Sequence, residues 1–317
     1  MSKKLMVGGQ AVIEGVMMRG PKLTATAVRD PQGKIQVETK PVNSISDRFP
    51  ILKKPFLRGT VSLIESLTIG MRSLSYSAKM AGEEDEQLSD KEMAGTIVFA
   101  LALASVLFIA IPTFGAKWLH SATEDPMVLN LLEGGLRLVI FLLYIWGISQ
   151  MKDIRRVFMY HGAEHKTIFC YEAGLPLTVE NVQKFPRLHP RCGTNFLLIV
   201  MLVSIFVFAF LGWPSLLERI ASRILLLPVV AGISYEIIRL AGRSDNSIIQ
   251  TAIKPGLWLQ YLTTRPPEDE MVEVAIESLK AVLPEEEIVE GTPDYIKKAN
   301  EEAAPVESAP VAAAVTE

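Results

Sequence analysis

The sequence predicts a mainly α membrane protein: about four transmembrane helices with a small β-rich N-terminal cytoplasmic unit. Three observations lead there. Hydrophobic residues make up 49% of the 317-residue chain and the mean hydropathy is +0.28. These residues gather in blocks rather than at helical or strand period, the pattern of a polytopic membrane protein. Ahead of the blocks, weak apolar/polar alternation brackets the turn sequence Asp30-Pro31-Gln32-Gly33, which reads as a β-hairpin. The net charge of −3 argues against nucleic acid as a partner, since that calls for a strongly basic face.

Taken in order, the chain divides as follows. Residues 5–55 form the β-rich unit, with four glycines in residues 8–22; that density signals tight turns or a close backbone approach. Met1–Gly9 lacks the apolar run of a cleavable targeting segment, so none is expected. Residues 56–82 carry Leu57, Val61, Ile64, Leu67, Met71, Leu74 and Ala78 at steps of three and four. This is an amphipathic helix, lying either on anionic lipid through Arg58, Arg72 and Lys79 or against the rest of the protein. The acidic run Glu83–Glu86 reads as a solvated linker.

Residues 94–242 hold the four apolar blocks. Ala94–Ala116 is uncharged over its whole length, enough to cross a hydrocarbon core of ~30 Å at ~1.5 Å per residue. Met127–Ile148 follows, with Glu133 and Arg137 one turn apart, then Cys192–Leu217. The fourth block, Ile224–Leu240, is shorter and contains Pro228, Glu236 and Arg239. Between the second and third lies a loop, 149–193. Its seven cations, Lys152, Arg155, Arg156, Lys166, Lys184, Arg187 and Arg191, outnumber the single Lys117 of the preceding connection. Cations are retained on the cytoplasmic side, so the loop and both termini are expected there, in a multi-pass protein of the cell membrane. Residues 243–290 should form a cytoplasmic helical segment, with an amphipathic helix at Glu268–Leu283. Residues 293–317 have the composition of a disordered tail.

The loop concentrates the chain's ligand chemistry. Three of four histidines (His161, His165, His189) and both cysteines (Cys170, Cys192) lie between Tyr160 and Phe196. His161-x-x-Glu164-His165 puts two imidazoles at i and i+4, on one face of a helix, where they can hold one cation while Glu164 polarises a bound water. H-x-x-E-H is also the inverted zincin pattern, in which both histidines ligate zinc and the glutamate is the general base. No downstream glutamate stands out as a third ligand; His189 or Cys192 would complete the set. The expected cofactor is a divalent metal, with zinc as first choice. The competing view is a polar network in which the histidines pair with Glu164 and backbone and the cysteines pack as small apolar residues. Glu236 and Arg239 are expected beneath this loop, either in the same site or as a local ion pair.

Taken together, Gly8–Pro21, Tyr160–Lys166, His189–Phe196 and Ser234–Arg239 resemble the YqhQ-like family of bacterial membrane proteins of unassigned function, over about residues 5–283. The resemblance implies a metal-dependent enzyme without fixing reaction or substrate. By motif it carries over His161, Glu164, His165, His189 and Cys192, with Glu14, Arg19, Asn195, Glu236 and Arg239 as accompanying polar positions.

The expected function is therefore that of a membrane-bound, metal-dependent, hydrolytic enzyme acting at the cytoplasmic face, with Glu164 as catalytic base and the lipid bilayer as partner. The alternative is a non-enzymatic assembly or scaffold protein whose loop is a metal clip, a polar network or a docking surface for other membrane proteins. A transporter ranks third, because no inverted internal repeat is visible.

Overall fold

The computed structural model describes residues 5–82, 90–119, 123–212, 215–241 and 246–284. The acidic run Glu83–Glu86 and the tail from 293 lie outside the described residues. The N-terminal unit is a four-stranded antiparallel meander: β1 (Gly8–Val12), β2 (Gly15–Arg19), β3 (Leu23–Arg29) and β4 (Ile35–Pro41), in the order β1-β2-β3-β4. Gly33, at φ 82°, makes the β3–β4 turn, as the Asp30-Pro31-Gln32-Gly33 sequence leads one to expect.

Helices then follow: α1 (Ile45–Arg48), α2 (Leu57–Ala81), α3 (Asp90–Ser105), α4 (Ile111–Leu119), α5 (Pro126–Ile148), α6 (Lys152–Ala173), α7 (Val179–Gln183), α8 (Gly193–Ala209), α9 (Leu216–Ala241), α10 (Ser247–Thr263) and α11 (Asp269–Lys280). Strand alternation gives the sheet two apolar faces. Val16, Met18, Ala25 and Ala27 pack with α6 and α11, through Tyr160, Ala163, Met271, Ala275 and Leu279. On the opposite face Val12, Met17 and Val28 pack with Ile69, Tyr76 and Met80 of α2. The sheet is thus the middle layer of three, and the C-terminal α11 shares one core with the N-terminal strands.

Three helices are long and apolar enough to cross a membrane: Ala94–Gly115, Pro126–Ile148 and Leu217–Ala241. The expected third span, Cys192–Leu217, is instead the 17-residue apolar helix α8. The last span is longer than its sequence block, because Pro228 is accommodated inside α9. In the first span a π-helical turn, Val106–Ala110, joins α3 to α4. Its origin is Pro112, which has no N–H for the Phe108 carbonyl four residues back; Arg137 Nε donates to that carbonyl instead, at 2.9 Å.

α2 departs from the simple amphipathic picture. Its fully buried positions are Gly59, Gly70, Ser73 and Ser77, while Leu57, Ile64, Leu67, Met71 and Leu74 of the predicted stripe are exposed. Small residues let this helix lie close to its neighbours. A Cβ on Gly59 would stand 2.6 Å from Tyr235 Cβ, and one on Gly232 would stand 2.7 Å from Phe56 O. Gly232→Leu is therefore expected to force α2 away from α9 and cost about 1–3 kcal/mol, read as a lower melting temperature of detergent-purified protein. Gly135→Ala, whose Cβ would meet nothing within 4 Å, should leave that temperature unchanged or raise it.

Candidate functional site

α6 presents the H-x-x-E-H residues from a regular helix that ends at the left-handed Gly174 (φ 80°). Gly162 lies mid-helix, where it is unfavourable in isolation. It serves a close approach: a Cβ there would collide with the Arg265 carbonyl, and Arg265 N donates to Phe158 O at 2.8 Å. The segment after α10 is thereby laid along α6.

Two backbone carbonyls set the imidazoles. His161 Nδ1 lies 2.8 Å from Thr263 O, and His165 Nδ1 bonds Arg187 O. A carbonyl only accepts, so both Nδ1 atoms carry hydrogen and both Nε2 atoms present lone pairs. Carbonyls behind histidine rings orient metal ligands in the same way. His161 Nε2 stands 3.2 Å from Cys192 Sγ, and one ligand atom each from His161, His165 and Cys192 fall within 4.8 Å of one another. Cys192 is the N-cap of α8, its sulfur accepting from Thr194 N at 3.4 Å.

Glu164 lies on the same α6 face. Its carboxyl reaches the sheet at Gly9, where a Cβ would stand 2.9 Å from Oε1; the Gly9 N–H donates to the carboxyl. The other oxygen, Oε2, is buried without a hydrogen-bond partner. Burial pushes this carboxyl up to about 8, opposed by His161 and aided by Cys192.

His189 is buried beside this group but its nitrogens turn elsewhere. Arg191 N donates to Nδ1 at 3.2 Å, which leaves the Nε2 hydrogen toward Glu172 Oε2, 3.9 Å away. Its ring stacks obliquely on Phe169, with centroids 4.5 Å apart. The His189–Cys192 turn is held by Gln260, which accepts from His189 N and donates to His189 O and to Asn195 Oδ1. Asn195 in turn donates to Pro190 O at 2.8 Å. Gln260 is fully buried and was not singled out by sequence reasoning, although an amide inside the apolar run Leu257–Leu262 is a detectable signal.

The remaining candidates are engaged away from the cluster. Glu14, in the β1–β2 turn at φ 49°, takes the Arg156 guanidinium and accepts from Tyr160 Oη at 3.2 Å. Arg19 pairs with Glu65 of α2 at 3.0 Å. Glu236 takes Arg58 of α2 as its ion-pair partner rather than Arg239 one turn on, with Arg58 Nε at 2.7 Å. Glu236 thus serves the α2–α9 contact. His161, Glu164, His165 and Cys192 are the four that come together, and their atoms suit a metal bound by two nitrogens and a sulfur, or a proton relay.

The family model described as "Protein of unknown function (DUF1385)" matches residues 54–285. "Uncharacterized protein YqhQ" of Bacillus subtilis (strain 168) is 40% identical, over 87% of this chain and 92% of its own length. No solved structure matches the chain. The chain belongs to the DUF1385 family, to which no function is assigned.

The buried carboxyl gives a pH test. Its folded value lies above its unfolded one, so its contribution to stability is complete below about 4.5 and is lost as pH rises through about 8. In chelator-treated protein the melting temperature should fall between pH 5 and pH 8, at up to about 1.4 kcal/mol per pH unit. Glu164→Gln should flatten that fall; parallel curves for wild type and variant would contradict the assignment.

Proposed function

Starting from membership of a family without an assigned function, we propose that the chain is an integral membrane protein with a metal centre held by His161, His165 and Cys192. We further propose that the centre serves a hydrolytic reaction on a lipid or membrane-associated substrate, with Glu164 as general base. The observation that carries this reading is the convergence of two imidazole Nε2 atoms and a thiol sulfur beside a buried, partnerless carboxylate oxygen. Three protein ligands leave a fourth position open, the arrangement of a catalytic rather than a structural zinc site. The 3.2 Å between His161 Nε2 and Cys192 Sγ suits nitrogen and sulfur at zinc bond lengths of ~2.0 and ~2.3 Å.

A bound zinc would supply positive charge that acidifies water and polarises the scissile group. The chain's own residues do the rest. Thr263 O and Arg187 O hold the two rings in register. Glu164 Oε2 receives a proton from an attacking water and returns it to the leaving group, a task suited to a carboxyl raised toward neutrality. Gly9 anchors the opposite carboxylate oxygen, so the base is fixed from the sheet side.

Membrane placement rests on the three long apolar helices and on the exposed stripe of α2, whose Ile64 and Leu67 are 58% and 60% exposed. A stripe like this, on a helix carrying Arg58, Arg72 and Lys79, suits the headgroup boundary. The positive loop between α5 and α8 supports a cytoplasmic site. A scaffold reading has one observation in its favour: Cys192 Sγ already has His161 and Thr194 as partners, so the thiol is satisfied without an ion.

Elemental analysis of full-length protein purified in detergent without chelator separates the two. We expect about one equivalent of zinc, lost in His161→Ala/His165→Ala and in Cys192→Ser, and retained in Glu164→Gln and His189→Gln. Protein without metal would overturn the metal centre. Metal retained in the double histidine variant would overturn the ligand set.

A further inference from the structure

Four cations gather on the segments that set the two imidazoles. The Arg187 carbonyl bonds His165 Nδ1, and the Thr263 carbonyl, two residues before Arg265, lies 2.8 Å from His161 Nδ1. Lys166 follows His165 on α6, its Nζ donating to Gln183 O at 2.8 Å. Arg265 is laid along α6 through its N–H on Phe158 O, one turn beyond Arg155. Arg187 and Arg265 both reach Tyr261 of α10. The Arg187 guanidinium lies over the ring, 5.8 Å from its centroid, and Arg265 Nη1 donates to the Tyr261 carbonyl. The charges are close enough to repel, Arg187 acting on Lys166 and Arg265, and Arg155 on Arg265.

Carboxylates do not offset them. Elsewhere in the same loop Arg156 pairs with Glu14, Lys184 with Glu180 and Arg191 with Glu172. Among the described residues no carboxylate stands within ion-pair distance of Arg155, Lys166, Arg187 or Arg265. Arg187 Nε is buried without a hydrogen-bond partner, which costs more on a charged group than on a neutral one. Retention of cations at the cytoplasmic face fixes the side on which they lie, and does not make them converge. Convergence of four like charges costs free energy, which a bound anion would offset.

We propose that Arg155, Lys166, Arg187 and Arg265 bind the phosphate of a phosphomonoester, the substrate class of the neighbouring His161/His165/Cys192 centre. The substrate assignment rests on the metal-centre reading above; the phosphate site does not. A phosphomonoester carries about 1.5 to 2 negative charges at neutral pH, whereas a carboxylate or a phosphodiester carries one, so it suits four cations best. Guanidinium forks match phosphate oxygens, and Lys166 adds a point charge. Trp258 and Tyr261 of α10 are 63% and 49% exposed, an aromatic edge of the kind that sits at headgroup level. A phosphorylated lipid therefore fits the surroundings, and a water-soluble phosphomonoester offers the same phosphate.

The test titrates full-length protein, as purified in neutral detergent, with phosphatidic acid, phosphatidylglycerol or glycerol 3-phosphate and reads thermal stabilisation. Phosphatidic acid should stabilise the wild type at lower concentration than phosphatidylglycerol, its phosphodiester counterpart. Arg187→Gln should weaken the apparent affinity on the order of tenfold, with Arg187→Lys retaining part of it. The Arg187 contact with His165 is main chain, so this variant should keep the wild-type melting temperature without ligand. Arg265→Gln should weaken binding likewise. Lys184→Gln, which removes a loop cation already paired with Glu180, should bind as wild type does. Glycerol 3-phosphate acting at the concentration of phosphatidic acid would uphold the site and assign it to a soluble phosphomonoester. Equal affinity in wild type, Arg187→Gln and Arg265→Gln, an equal loss in Lys184→Gln, or no preference for phosphatidic acid over phosphatidylglycerol would overturn the proposal. Metal content of the same preparations keeps the two readings apart. Binding that needs Arg187 in protein without zinc would uphold the phosphate site and overturn the metal centre; about one equivalent of zinc without such binding would do the reverse.

Discussion

The structure depends on one buried carboxyl group. Glu164 is placed where water does not reach, with one oxygen on the Gly9 N–H and the other without a hydrogen-bond partner. Leaving a buried acceptor unsatisfied costs about 1–3 kcal/mol. That cost is tolerated only if surrounding packing holds it in place. Gly9 lets the sheet come within reach, and Gly162 admits the Arg265 carbonyl on the flank of α6. Gln260 fixes the turn that delivers Cys192. Each of these contacts joins a different part of the chain to α6.

This explains why segments far apart in sequence share one core. The N-terminal strands supply Gly9, α8 supplies Cys192, and the end of α10 supplies the Thr263 carbonyl. α11 then closes over the sheet, with Ser278 Oγ donating to Ala25 O at 3.0 Å. The sheet, α6 and α11 are therefore a platform that holds the His/Cys group at the end of the apolar bundle where α8 begins. Strain elsewhere is modest: among the described residues only Glu14 and Phe56 are non-glycines with positive φ. Both sit at junctions, one tied to Arg156 and the other beside Glu236.

Much of this was legible in the sequence. The hairpin signal at Asp30–Gly33, the glycine density of residues 8–22 and the helical spacing of His161, Glu164 and His165 each carry a local physical meaning that survives folding. What failed depended on tertiary context. The stripe of α2 has apolar period, but the fully buried positions of the helix are glycines and serines, which periodicity does not flag. Glu236 and Arg239 are one turn apart, yet Arg58 approaches from α2 and takes the carboxylate, because a fork from a facing helix meets both oxygens. Starting the last span at Ile224 cut off Arg219 and Arg223, so these partners of Glu133 went unseen. Gln260 works through the backbone of the His189 turn and the Asn195 side chain, both far away in sequence, and only its polarity inside an apolar run marks it.

Cobalt substitution tests the central claim most directly. The claim is that two imidazoles and one thiolate converge on a single ion. Titrating Co²⁺ into chelator-treated full-length protein should give, at one equivalent, intense visible d–d bands of tetrahedral cobalt and a near-ultraviolet sulfur-to-cobalt charge-transfer band. Cys192→Ala should abolish the charge-transfer band, and Cys170→Ala should leave it intact. A weak octahedral spectrum without sulfur character, or a band indifferent to Cys192, would contradict the account.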